Sequence, residues 1–324
     1  MQTLISIPAS SSASSPNPKP NPISGSSSSL IWSRNPCSNL RSETPVQIRL
    51  WRPAAQRNIR NQWSTIVSQK QKWSSASSNG RSLASSLVNA YLSCRYLPSM
   101  DLGVLSSMNG IRDKAHQKLA QKQEHYREQL LLSYSELVST VCQMVRASQS
   151  MRCFLKGSLD SPIVEFCSQP GNSDDCGDGR GVPVFSYLSV TYFESLAQEL
   201  TQMFVLELNL KRLLVAALCC ITCDDGINTQ ANVLNWSNEL FPGEFENMGS
   251  IGLLNEESCL PIPPCIQGRE NGDTNMERLS QHPEREVMQV YLTVWLAEVN
   301  INTRRVDEII AMVEEEMQLK LGSS

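Results

Sequence analysis

Acidic side chains are almost missing from the first hundred residues of this 324-residue chain, where Glu43 stands alone against eleven Lys and Arg. The formal net charge of −4 therefore conceals a basic leader joined to an acidic body. A chain divided in this way points to an anionic partner or an import signal at one end and a packing surface at the other. Aromatic residues are scarce too, at 6%, which leaves Leu, Val, Met, Ala and Cys to build any core. Long apolar runs are absent. The most apolar stretch, near 200–223, is interrupted by Glu207, Lys211 and Arg212, so only Leu213 to Ile221 is continuous. A spanning helix needs about twenty apolar residues, and no membrane partner is expected. The apolar patch from Leu4 to Pro8 is far short of the roughly 7–15 residues of a secretory h-region.

Without a secretory leader, eleven cysteines read as reduced thiols in a nuclear or cytosolic compartment. Cys94, Cys142, Cys153, Cys219 and Cys220 lie along helical segments, where a reduced Cys serves as a small core residue.

What is present divides in two. Residues 1–55 hold serine runs and six prolines from Pro16 to Pro45, a composition that cannot offset its ordering entropy and predicts a disordered basic arm. Residues 56–324 are long enough for a full core, with irregular insertions near 158–183 and 225–280. The first forty residues also fit a plastid or mitochondrial transit peptide, being Ser-rich, with Lys19 and Arg34 and no acid before Glu43.

Periodicity predicts an all-α fold: long helices in an elongated bundle or coiled-coil-like body. A first helix over Ala54–Ser74 places Ile59, Trp63, Ile66, Val67 and Trp73 inward, and a second spans Ser82–Tyr96. The third and longest runs from about Met100 to Lys156. In it Tyr126, Leu130, Tyr134, Leu137, Val141, Met144, Ser148 and Met151 recur at steps of three and four, the seam of a coiled coil or long bundle helix. Gly157 suits its C-terminal cap. A fourth helix starts with Thr191 as N-cap and Glu194 three residues on, a capping box, and ends near Cys223. A last helix runs from Pro283 through Val294, Trp295 and Val306 to Met317, with Glu314 to Glu316 read as a solubility feature.

The search for chemistry finds little. Cys220 and Cys223 form a C-x-x-C, with Cys259 and Cys265 downstream, but five residues between the second pair put it six apart, and no His is near. Structural zinc wants paired short spacings, so core cysteines are the preferred reading. Gly177, Gly179 and Gly181 form a G-x-G-x-G behind an acidic run, without the preceding strand and following helix that a phosphate loop requires, and read as a turn. His116 and His125 are nine residues apart, about two and a half turns, and fall on nearly opposite faces of one helix. His282 adjoins a helix start. No nucleophile–base set emerges. The chain is expected to be no enzyme, with no catalytic residues, cofactor, metal or small-molecule substrate.

One segment is site-like. Arg49, Arg52, Arg57, Arg60, Lys70, Lys72 and Arg81 are interleaved with Trp51, Trp63 and Trp73. Cations neutralise phosphates and tryptophan stacks on bases or fills a partner's groove. The competing reading makes the tryptophans core anchors and the cations a solvated face. Trp63 and Trp73 lie about 80° apart around a helix, close enough to share one broad side. The candidate contact set for nucleic acid or a protein partner is Arg49, Arg52, Arg57, Arg60, Trp63, Lys70, Lys72 and Trp73.

Several blocks resemble a plant-specific family of proteins of meiotic DNA double-strand-break formation. They are Arg60 to Ser68, Leu87 to Leu92 with Arg95 to Met100, Ser150 to Leu155, Cys176 to Phe185, Trp236 to Leu240 with Gly243 to Phe245, and Tyr291 to Arg305. The resemblance covers about residues 58–315. It implies a nuclear accessory or scaffold protein of recombination initiation, partnered by proteins of the break-forming complex, with DNA contact through the basic arm and no catalytic residue. Two other readings stand beside it: a plastid-targeted helical protein, and a microtubule or spindle adaptor that binds acidic tubulin through its basic arm.

Overall fold

A computed structural model describes residues 45–156, 165–167, 175–222, 235–267 and 283–322. The chain divides into two units, Met1–Pro36 and Cys37–Ser324, and every described residue belongs to the second. Residues 1–44 of the predicted arm, Gly157, Cys223 and His282 lie outside the described residues. The fold is all-α apart from a two-stranded hairpin, as the periodicity implies.

Helix α1 spans Pro45–Tyr96, 52 residues and about 78 Å at the usual rise. Residues 45–55, assigned from composition to the arm, therefore belong to the body. The two helices expected over Ala54–Ser74 and Ser82–Tyr96 are one. A heptad of Ile59, Ile66, Trp73, Gly80, Leu87 and Cys94 is buried throughout and carries the helix across its Ser-rich middle.

Two 3-10 turns, Leu97–Ser99 and Gly103–Ser107, separate α1 from α2 (Ile111–Gln149). The third helix is thus shorter at both ends than its period suggested. The start of α1 meets the end of α2, where the Trp51 indole donates to the Cys153 carbonyl at 3.1 Å. Midway, Ser133 donates to the Ala76 carbonyl at 2.9 Å, and near the other end the Cys94 thiol reaches the His116 carbonyl. The pair is therefore antiparallel. The predicted seam of α2 is buried from Leu130 to Met151, with only Tyr126 at its edge half-exposed.

Strands β1 (Phe154–Lys156) and β2 (Glu165–Cys167) pair antiparallel, with Phe154 opposite Cys167. Helix α3 (Val190–Cys219) lies antiparallel to α2. Arg152 clasps Glu194 near its start (2.8 Å), and Arg127 donates to the Cys219 carbonyl at its end (3.1 Å). The expected capping box is absent: Ser189 is the N-cap, Thr191 lies inside the helix, and Glu194 faces Arg152. The short helix α4 (Glu244–Ser250) sits on α2 within the segment expected to be irregular.

The single C-terminal helix expected from Pro283 is two, α5 (Arg285–Ala297) and α6 (Thr303–Met317). Glu298 breaks them in a left-handed conformation (φ 44°) and accepts hydrogen bonds from Ser77 (2.7 Å) and Trp73 (3.2 Å). The Glu314–Glu316 run is structural rather than merely solubilising: Glu314 accepts the Leu321 N–H at 2.7 Å and Glu316 the Leu188 N–H at 2.8 Å. Among the described residues no helix is long and apolar enough to cross a membrane.

Candidate interaction surface

Helix α1 holds eight Lys and Arg and no Asp or Glu. Arg49, Arg52, Arg57 and Arg60 all lie exposed on its first turns, while Trp51, Ala55 and Ile59 are buried. Arg60 rests on the Phe185 ring at 5.0 Å, a cation–π contact that leaves its charge at the surface. Lys70 is half-buried and pairs with Asp307 at 3.1 Å, so it ties α1 to α6. Lys72 is exposed. The four arginines and Lys72 thus form the surface part of the predicted contact set.

The tryptophans do not. Trp63 and Trp73 are 0% and 1% exposed, and Trp51 is buried beside them. Trp73 packs edge-on against Phe204 at 5.4 Å and donates to Glu298. Rings buried this deeply cannot also present their faces to a base. The expectation that Trp63 and Trp73 contact a partner is corrected: they are core anchors.

Against the first turns of α1 lies a groove of about 450 Å³, shared with the β1–β2 hairpin. Leu50, Pro53, Ala54, Arg57, Asn58 and Asn61 form its helical side, and Cys153, Phe166 and Cys167 close it. Asn58 fixes this geometry. Its amide donates to the carbonyls of Ser150 (2.8 Å), Met151 (3.0 Å) and Arg152 (3.3 Å), pinning the end of α2 to α1. Burial pushes the Cys153 thiol up to about 11, so it is a neutral apolar wall rather than a nucleophile.

The glycine turn supports the same corner. Gly177 carries the Phe154 ring against its α-carbon, and Gly179 carries Trp51; a β-carbon there would lie 2.8 Å and 2.3 Å from those rings. Both residues have positive φ (65° and 61°), which only glycine adopts freely. Asp175 and Asp178 accept the N–H groups of Gly177 and Arg180, each at 2.8 Å. The motif is a packing turn.

Sequence reasoning missed the polar groups inside the body. Arg212 and Glu244 are buried and paired at 2.8 Å, with the guanidinium also donating to the carbonyls of Trp236 and Asn238. The Tyr134 hydroxyl donates to Glu244 at 2.7 Å, and burial first, then that carboxylate, hold its pKa well above the usual value. Lys211 and Glu207 form a second buried pair at 3.3 Å, Lys211 donating to the Trp295 carbonyl and Glu207 accepting the Asn300 N–H. The only available signal was three charges at helical spacing within an apolar run. These clusters have every strong donor directed inward, and they fasten loops to α3 rather than face a cleft.

Cys94, Cys142, Cys153, Cys219 and Cys220 are buried, and burial pushes the Cys219 thiol up to about 12. Cys176 departs from the all-reduced reading, being disulfide-bonded. Among the described residues no group of His, Cys, Asp or Glu is arranged to hold a metal ion. No family model and no curated protein sequence matches the chain.

Proposed function

We propose that this chain is a non-enzymatic scaffold that helps assemble the complex making meiotic DNA double-strand breaks. One observation carries the scaffold reading: the unpaired cations of an acid-free 52-residue helix lie outward while its tryptophans hold the core. Such a helix attracts anionic macromolecules without offering a reaction. Supporting the meiotic part is the resemblance of the blocks named above. Four of those six blocks lie at joints of the body. Ser150 to Leu155 takes the Asn58 clamp, Cys176 to Phe185 seats Trp51, Trp236 to Phe245 receives Arg212, and Tyr291 to Arg305 receives Trp73 and Ser77. A resemblance concentrated at fold-determining joints is a resemblance of architecture.

The experiment is a fluorescent fusion of the full chain in a flowering plant, followed through male meiosis. Nuclear signal in early prophase, with fewer break-dependent foci when the protein is removed, is the expected result. Plastid fluorescence that disappears on deleting residues 2–45 would instead establish the import reading. Strongly salt-dependent co-sedimentation with microtubules, without nuclear signal, would establish the spindle-adaptor reading.

A further inference from the structure

We propose that the groove between the first turns of α1 and the β1–β2 hairpin docks an acidic, amphipathic segment of a protein partner. The inference deepens the scaffold reading and rests on it for the existence of a partner; it adds the chemistry of what is held.

The groove joins an apolar floor to an arginine-bearing rim. Leu50, Pro53, Ala54 and Phe166 supply the floor, and Leu50 is 47% exposed. Its volume of about 450 Å³ lies within the roughly 300–1,000 Å³ of concave sites that hold ligands. Arg57 stands on the rim, and Arg49 and Arg60 follow on the adjoining strip of helix surface. The neighbouring acids are already engaged: Glu165 with Lys156 at 3.1 Å, and Asp175 and Asp178 with backbone N–H groups. Pro53 also lines the groove. It has no N–H to give the Arg49 carbonyl one turn earlier, which removes one helical hydrogen bond beside the groove.

Charge complementarity selects the occupant. A phosphate backbone would use the arginines and leave the apolar floor wet, while single-stranded bases need exposed aromatic faces that the buried tryptophans do not offer. A peptide carrying Asp or Glu beside Leu, Phe or Trp uses both halves of the site: an apolar side chain on the floor and a carboxylate on Arg57.

The test uses the purified full-length protein and an array of peptides of about twelve residues combining Leu, Phe or Trp with Asp or Glu in varied spacing. Matched peptides carry Lys in place of each acid, and a DNA duplex serves as competitor. Arg57→Glu and Leu50→Glu change exposed positions, and thermal melting checks that each variant folds. Arg52→Glu is the charge-matched control, since residue 52 lies about 140° around the helix from residue 57. Acidic apolar peptides should bind saturably, and their lysine counterparts should not. Arg57→Glu and Leu50→Glu should each weaken binding by about tenfold or more, and Arg52→Glu by less than about threefold. The proposal is overturned if no acidic peptide binds, or if Arg52→Glu weakens binding as much as Arg57→Glu. It is also overturned if duplex DNA displaces the peptide with sensitivity to both arginine variants and none to Leu50→Glu. Any of these leaves the meiotic assignment untouched, because that is decided by localisation and break counts in cells.

Discussion

Arg212 and Glu244 form an ion pair that solvent does not reach, with guanidinium Nε 2.8 Å from the carboxylate and side-chain exposures of 1% and 0%. The pair joins α3 to the chain around α4, and Tyr134 on α2 and the Leu240 N–H complete the carboxylate's bonding. Trp236 lies 4.5 Å beneath the guanidinium and donates to the Pro261 carbonyl, so one charged contact organises a loop of the fold. Removing one partner leaves the other charged and buried. Glu244→Ala should lower stability by about 3–5 kcal/mol in urea denaturation, whereas the double change Arg212→Met with Glu244→Leu should recover most of the loss.

Gly179 and Gly181 separate two contributions to one turn. Both have positive φ (61° and 77°), but a β-carbon on Gly179 meets the Trp51 ring at 2.3 Å and one on Gly181 meets nothing within 4 Å. Gly181→Ala should cost about 1–2 kcal/mol of backbone strain. Gly179→Ala should cost more and also shift the near-ultraviolet circular dichroism, because Trp51 must move.

Leu137 and Val294 were both expected in the core, and they are not equivalent. Leu137 is 0% exposed, while Val294 is only half-buried on α5. Leu137→Asp should abolish cooperative melting, since an unpaired buried carboxylate costs several kcal/mol. Val294→Asp should leave a cooperative transition with a modestly lower midpoint.

Acid sensitivity should come from the surface of the body. Hydrogen bonds from Arg305 hold Glu199 below the usual carboxylate range, and the Leu321 N–H does the same first for Glu314. Their folded values are depressed, so their stabilisation is present above the unfolded value and is lost as pH falls through the folded one. Glu207 runs the other way: burial raises its pKa, so its contribution favours the fold at low pH and is lost as pH rises through the folded value. Joint Glu199→Gln and Glu314→Gln should flatten the fall of melting temperature below about pH 5, and Glu207→Gln should steepen it.

Much of the frame was legible where packing follows period. The run from Leu130 to Met151 is buried as its spacing demands, and the all-α class follows from it. Boundaries were not legible where distant contacts override local preference. The stretch Ser74–Arg81, rich in Ser and containing Gly80, has weak helix propensity, yet α1 continues through it. The reason lies far along the chain. The Trp295 ring occupies the space a β-carbon on Gly80 would fill, at 2.6 Å, and its N–H bonds the Ser77 carbonyl at 3.0 Å. The same contacts force the break at Glu298, which abandons helical geometry to receive Trp73 and Ser77. At the candidate site the arginines could be read from charge alone. The inward turn of Trp63 and Trp73 could not, because one helix has two faces until its neighbours choose.

Helix α1 is made early and completed late. Trp73 waits for Glu298, 225 positions downstream. At roughly 5–20 residues per second a ribosome supplies that partner only after some tens of seconds. Until Cys153, Gly179 and Phe204 follow, the nascent segment carries eight like charges and a row of uncovered indoles. Synthesis thus creates a transient need for shielding that the finished molecule no longer has, and the strongest claim on a chaperone falls before the last fifth of the chain emerges.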